Sequence, residues 1–151
     1  MLVIQRPSVE AIGTSDNNRQ KFSIGPLDPG LGHTIGNSLR RMLLSSIPGA
    51  AISTVKFESA LHEFDTIEGI TEDVTEIILN LKDVVVMLDG DEPVVITVDV
   101  KGPADVSAAD IVCPTGVTIL NPSQHIATLS AKGRLVVDIT VERGKGYSSS
   151  D

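Results

Sequence analysis

The sequence predicts an α+β fold with more strand than helix, and three patterns carry that reading. Val94, Ile96, Val98 and Val100 alternate with Val95, Thr97, Asp99 and Lys101, and Leu135, Val137, Ile139 and Val141 alternate with Val136, Asp138, Thr140 and Glu142. Both runs have the period of two that marks a strand with one buried face. Val74, Ile77, Ile78 and Leu81 instead recur at i, i+3, i+4 and i+7, which gathers them on one helix face able to cover a sheet. Finally, Gly102-Pro103, Cys113-Pro114-Thr115-Gly116 and Asn121-Pro122 cut the stretch between the alternating runs into short segments, among them 117–120 and 127–129.

In chain order, residues 20–24 read as a short strand closed by Gly25-Pro26, and a helix follows over about 33–47, stopped by Pro48-Gly49. At about 100° per residue, Ile35, Leu39, Met42, Leu43 and Ile47 form an apolar stripe, with Asn37, Ser38, Arg41 and Ser45 opposite. Gly32 and Gly36 lie on or beside the stripe, where the lack of a Cβ permits close approach by a neighbour. Leu44 sits on the polar side between Arg40 and Arg41, so an apolar group and two guanidinium groups share one surface. The helix looks built to be contacted from two sides; an ordinary surface helix with one exposed leucine is the alternative.

After Pro48-Gly49 a second unit begins. Residues 51–64 read as a strand with Val55 and Phe57 on one face and Thr54, Lys56 and Glu58 on the other. The helix containing Val74 then starts behind Thr71 as the N-cap candidate, with Glu72 and Asp73 as first-turn charges and Lys82 in the last turn. The strand reaching Glu142 leads through Arg143-Gly144-Lys145-Gly146-Tyr147 into Ser148-Ser149-Ser150-Asp151, which reads as a frayed terminus.

Composition narrows the function classes. With 151 residues and 41% hydrophobic content, the chain can form a domain with its own core. No apolar run approaches the roughly 18 residues of a membrane span, and Met1-Leu2-Val3-Ile4-Gln5-Arg6-Pro7 has no secretory h-region, so a cytoplasmic protein without membrane contact is expected. The single cysteine, Cys113, excludes an internal disulfide and reads as a small structural residue. A net charge of -8 opposes direct binding to a nucleic-acid backbone, and three phenylalanines with one tyrosine provide few stacking platforms. Arg40 and Arg41, the conspicuous local cations, suit acidic groups or carbonyls of a protein partner.

Chemistry is sparse. His33, His62 and His125 have no metal-ligand spacing, so neither a metal nor another cofactor is expected. Gly30-x-Gly32-x-x-x-Gly36 opens a helix but matches neither the dinucleotide fingerprint nor the phosphate loop. Glu72/Asp73 and Asp89/Asp91 read as helix-start charges and a solvated turn rather than a catalytic dyad. No catalytic residue is assigned.

The run Leu27-Asp28-Pro29-Gly30-Leu31-Gly32-His33-Thr34-Ile35-Gly36-Asn37-Ser38-Leu39-Arg40-Arg41-Met42-Leu43-Leu44-Ser45-Ser46-Ile47-Pro48-Gly49-Ala50 closely resembles the N-terminal domain of the bacterial RNA polymerase alpha subunit, in its actinobacterial form. Leu61-His62-Glu63-Phe64, the stretch 72–82 and Val141-Glu142-Arg143-Gly144-Lys145-Gly146-Tyr147 resemble the same family in the same order. Leu31, Ile35 and Lys145 depart mildly, standing where the family usually has an aromatic, a leucine and an arginine.

The resemblance implies a noncatalytic scaffold of DNA-directed RNA polymerase, a nucleotidyltransferase whose chemistry resides in other subunits. Residues 1–49 would be the first part of a dimerisation and assembly subdomain, and 50–151 an inserted β-rich subdomain. Gly32, Ile35, Gly36, Leu39, Met42 and Leu43 would form the dimer and core face of the helix. Arg41, with Arg40, Leu44 and Ser45, would face the beta subunit, joined by His62, Glu63 and Phe64. The partners implied are the beta and beta-prime subunits and a second alpha subunit. In the family a return segment and a DNA-binding C-terminal domain follow; with both outside these 151 residues, this chain alone is expected neither to dimerise stably nor to bind promoter DNA. The other reading is a free-standing interaction or regulatory module that mimics alpha and competes for its partners.

Overall fold

The computed structural model describes residues 6–16 and 19–149, in two compact units, Met1–Ser46 and Ile47–Asp151. The leader-free reading of Met1 to Gln5 and the final two residues of the serine-rich end lie outside the described residues. Helices and antiparallel sheets together give the expected α+β, strand-rich class.

The first unit opens with an unanticipated strand. β1 (Ser8–Asp16) pairs antiparallel with β2 (Arg19–Gly25), so a hairpin rather than a lone strand precedes the helix. Alternation in β1 is broken because its register shifts between Ile12 and Asp16, where Gly13 takes a φ of 75°, a left-handed value that glycine adopts at little cost. The helix, α1, runs Leu31–Ser46, starting earlier than the expected 33. It stops before Ile47 because a residue preceding proline is pushed out of the helical region by the pyrrolidine ring.

In the second unit β3 (Pro48–Phe57) begins at the Pro-Gly stop itself, since Pro48 and Gly49 pair with Lys145 and Gly144. The expected strand over 51–64 ends at Phe57: residues beyond Glu58 leave the ladder for a loop closed by Asp65. A register shift between Ile52 and Thr54 changes the side-chain phase, so Ala50 and Ile52, then Val55 and Phe57, are the partly buried positions.

The core is built on the two alternating runs. β5 (Val94–Lys101) and β3 flank β9 (Arg134–Lys145) in a three-stranded antiparallel sheet. Ile96 and Val98 of β5 and Leu135, Val137, Ile139 and Val141 of β9 are buried on one face, with no more than 1% exposed at any of them. The other face carries polar groups; the Arg134 guanidinium forks onto Asp99, Nε to Oδ1 at 2.9 Å and Nη2 to Oδ2 at 2.8 Å. α2 (Val74–Lys82) contributes Val74, Ile77 and Leu81 to the same core, with Ile78 at its margin.

The expected N-cap is corrected here. Thr71 does not cap α2; the Asp73 carboxylate does, accepting from the Glu76 N–H at 2.7 Å. Glu72 is likewise no ordinary first-turn charge, because its carboxylate turns to β8 (His125–Leu129). It accepts from the Thr128 N–H at 2.7 Å and the Thr128 hydroxyl at 3.0 Å, and pairs with His125 Nε2 at 3.0 Å. Burial pulls the Glu72 carboxyl upward, but these hydrogen bonds outweigh it and hold the group below its ordinary range.

The remaining strands are short pairs. β4 (Val86–Leu88) lies along β7 (Val117–Ile119), and β6 (Ala104–Ser107) along β8. β4 and β6 have only three and four residues, too few for a period to declare itself. Three loops meet at Ser130. Its N–H donates to Gly69 O, its carbonyl accepts from Gly133 N–H, and Gly102 N–H donates to Gly133 O. A Cβ on Gly102 would sit 1.9 Å from Ser130 O, and one on Gly133 would sit 2.2 Å from Gly69 O. Glycine at these positions is a condition of the crossing.

Candidate functional site

The first candidate surface is α1. Among the described residues of this helix none is buried, and Ile35 alone is partly covered. Leu39, Met42 and Leu43 of the apolar stripe are exposed, as is Ile47 just beyond it. A Cβ added at Gly32 or Gly36 would meet nothing within 4 Å, so the close neighbour that these glycines suggest is not among the described residues. On the other side Leu44 is 68% exposed beside Arg40 and Arg41, neither of which forms an ion pair among the described residues. Ser45 is partly committed: its hydroxyl donates to the Arg41 carbonyl one turn back, at 2.7 Å. What this helix can offer chemically is apolar area on one side and two fork-shaped donors on the other.

The second surface is the loop between β3 and α2, which carries His62, Glu63 and Phe64. Phe64 is 78% exposed and Leu61 98%. Despite that exposure the backbone is tied from inside. Asp65 Oδ2 accepts from the N–H groups of Leu61, at 2.9 Å, and His62, at 3.3 Å, while Oδ1 pairs with His62 Nε2 at 3.2 Å. The Leu61 N–H bond, joined by the His62 N–H and the nearby imidazole, holds the Asp65 carboxyl below the usual carboxylate range. From α2, the Thr75 hydroxyl donates to the Glu63 carbonyl at 2.7 Å and the Val74 N–H to the Asp65 carbonyl at 3.2 Å. Val55, Phe57, Ala60, Val74 and Ile78 floor a groove of about 650 Å³ beside this loop, with Glu58 and Glu63 also lining it.

Asp65 and Thr75 were not among the residues singled out by sequence, because their contribution depends on a loop closure that no periodicity encodes. A short carboxylate three residues after a chain reversal is the available signal. Elsewhere, Cys113 is half-buried against the core and burial pushes its thiol up, keeping the reactive thiolate scarce. Among the described residues no three His, Cys, Asp or Glu side chains converge as a metal centre requires, and no helix is long and apolar enough to cross a membrane.

The profile of the RNA polymerase Rpb3/RpoA insert domain matches residues 55–151, well over half of the sequence. The chain belongs to the RNA polymerase alpha-subunit family. The DNA-directed RNA polymerase subunit alpha of Beutenbergia cavernae is 55% identical over 150 residues, covering 99% of this chain and 44% of that protein. Its counterpart in Saccharopolyspora erythraea is 54% identical over 147 residues, 97% of this chain and 41% of that one. The chain thus spans less than half the length of these alpha subunits. The alpha-family insert-domain match begins inside β3 and takes in α2, the Asp65 loop and every strand from β4 to β9.

Proposed function

We propose that this chain serves as the assembly-scaffold portion of a DNA-directed RNA polymerase alpha subunit, contributing contacts rather than reaction chemistry. Residues 1–49 form the first part of the dimerisation subdomain and 50–151 the inserted subdomain. In the context of a whole subunit the stripe of Gly32, Ile35, Gly36, Leu39, Met42 and Leu43 packs against the dimer partner, a second alpha subunit, while this chain alone does not dimerise stably. Arg41, helped by Arg40, Leu44 and Ser45, docks the beta subunit, and His62, Glu63 and Phe64 of the second unit also contact it. Beta-prime joins the assembly, which works in the cytoplasm without direct nucleic-acid or membrane contact by this segment. The observation that supports the reading is α1: 16 residues of amphipathic helix with no side chain buried and both faces exposed.

Capture of purified beta subunit by this chain tests the proposal. Arg41→Ala is expected to weaken capture about tenfold or more, the range of an interface arginine that anchors its partner. Equal capture by parent and variant removes Arg41 from the docking face.

A further inference from the structure

The loop proposed to dock the beta subunit is unusual in how its parts divide. The side chains that project, Leu61 and Phe64, are apolar and exposed, whereas the Asp65 and Thr75 side chains bond to the loop's own backbone. We infer that Asp65 is the positioning residue of this docking loop, fixing its bound shape in advance so that the beta subunit meets Leu61 and Phe64 already placed. The inference rests on the docking reading of the loop.

Three geometrical facts support it. One carboxylate gathers two successive backbone amides and the His62 imidazole, so the reversal at 61–65 is closed around a single side chain. The Asp65 N–H returns to the His62 carbonyl at 3.2 Å, and the Asp65 carbonyl accepts from Val74 at the start of α2. Thr75, one residue on, pins the Glu63 carbonyl immediately before the exposed Phe64. The loop is therefore tethered at positions 61, 62, 63 and 65 while Leu61 and Phe64 protrude. A loop ordered before binding does not lose that freedom on binding, and the saving appears as affinity. The floor beside it is apolar, with Lys56, Glu58, His62 and Glu63 also lining the groove, which fits a partner patch of apolar side chains ringed by polar groups.

The experiment measures binding of the chain to immobilised beta subunit together with its thermal unfolding. Asp65→Ala is expected to weaken binding about tenfold, a change equivalent to about 1.4 kcal/mol, with the unfolding midpoint little altered. Asp65→Asn keeps a carbonyl acceptor for the Leu61 and His62 amides and is expected to recover most of the affinity. Amide exchange at Leu61 and His62 is expected to accelerate in Asp65→Ala while the amides of β9 stay protected. Thr75→Val frees the loop at Glu63 and is expected to act in the same direction, which keeps the test decisive if Asp65→Ala folds poorly. Phe64→Ala separates the two claims. If it weakens binding while Asp65→Ala and Thr75→Val do not, the positioning role is wrong and the docking face stands; if Phe64→Ala also binds like the parent chain, the docking face itself is wrong. Loss of binding that only tracks the unfolded fraction, or no recovery by Asp65→Asn, also overturns the positioning role.

Discussion

Replacing Glu72 by alanine separates two physical accounts of one carboxylate. As a charge near the start of α2 it is worth about 0.3–1 kcal/mol, and salt screens that effect. In the folded chain its side chain is only 15% exposed and holds the Thr128 N–H, the Thr128 hydroxyl and His125. Alanine leaves the part-buried Thr128 N–H without its acceptor, a loss of about 1–3 kcal/mol. The hydroxyl can rotate and the exposed imidazole can rehydrate, so together they add about 0.5–1 kcal/mol more. The sum is roughly 1.5–4 kcal/mol, which in a unit of this size lowers the unfolding midpoint by about 6 °C or more. Urea unfolding of parent, Glu72→Ala and Asp73→Ala measures it, the last removing an N-cap bond worth about 1 kcal/mol. The folded Glu72 carboxyl titrates below its ordinary 4.5, so its contribution is complete above that value and is lost as pH falls through the lower folded value. Glu72→Ala is expected to flatten that part of the acid limb. A cost below about 0.5 kcal/mol, or one erased by 1 M salt, would refute the stapling account and restore the helix-charge one.

Further outcomes are expected elsewhere. Ile77→Ala opens a cavity at a fully buried position of α2 and should cost about 2–5 kcal/mol in urea unfolding. Gly102→Ala drives a methyl into the Ser130 carbonyl and should destabilise at least as much, with the chain failing to accumulate as folded protein on expression. Cys113, partly covered and with its thiol pushed above the ordinary 9.0, should react slowly with iodoacetamide at neutral pH, and much faster once urea unfolds the chain. Alkylation at the same rate in both states would show that the thiol is not sheltered.

The parts of the fold legible in the sequence are those whose neighbours lie on one side. β5 and β9 alternate because one face meets the core and the other water, and α2 repeats its apolar residues for the same reason. Where two signals compete, the sequence underdetermines the outcome: Thr71 and Asp73 both suit an N-cap, and the choice turns on Glu72 being drawn away to a strand more than fifty residues later. β1 hides because a register shift interrupts its period, and β4 and β6 because they are too short to have one. In the candidate site the two-sided pattern of α1 is visible residue by residue, whereas Phe64 sits at the end of an expected strand and enters only through the family resemblance. The work of Asp65 is not visible, since a carboxylate that closes a loop is identical in sequence to one that faces solvent.

The meeting of three loops at Ser130 has a practical side. Gly69, Gly102 and Gly133 belong to connections, the segments where proteins ordinarily accept insertions, tags and sequence drift. Here those connections share one volume and admit neither a longer chain nor a methyl group. The turn over residues 89–93, exposed at every position, is the opposite case. An affinity tag, a fluorophore or a fusion partner inserted at 89–93 should leave the unit intact, whereas the same insertion beside Gly102 or Gly133 would pull apart loops that are distant in sequence from one another.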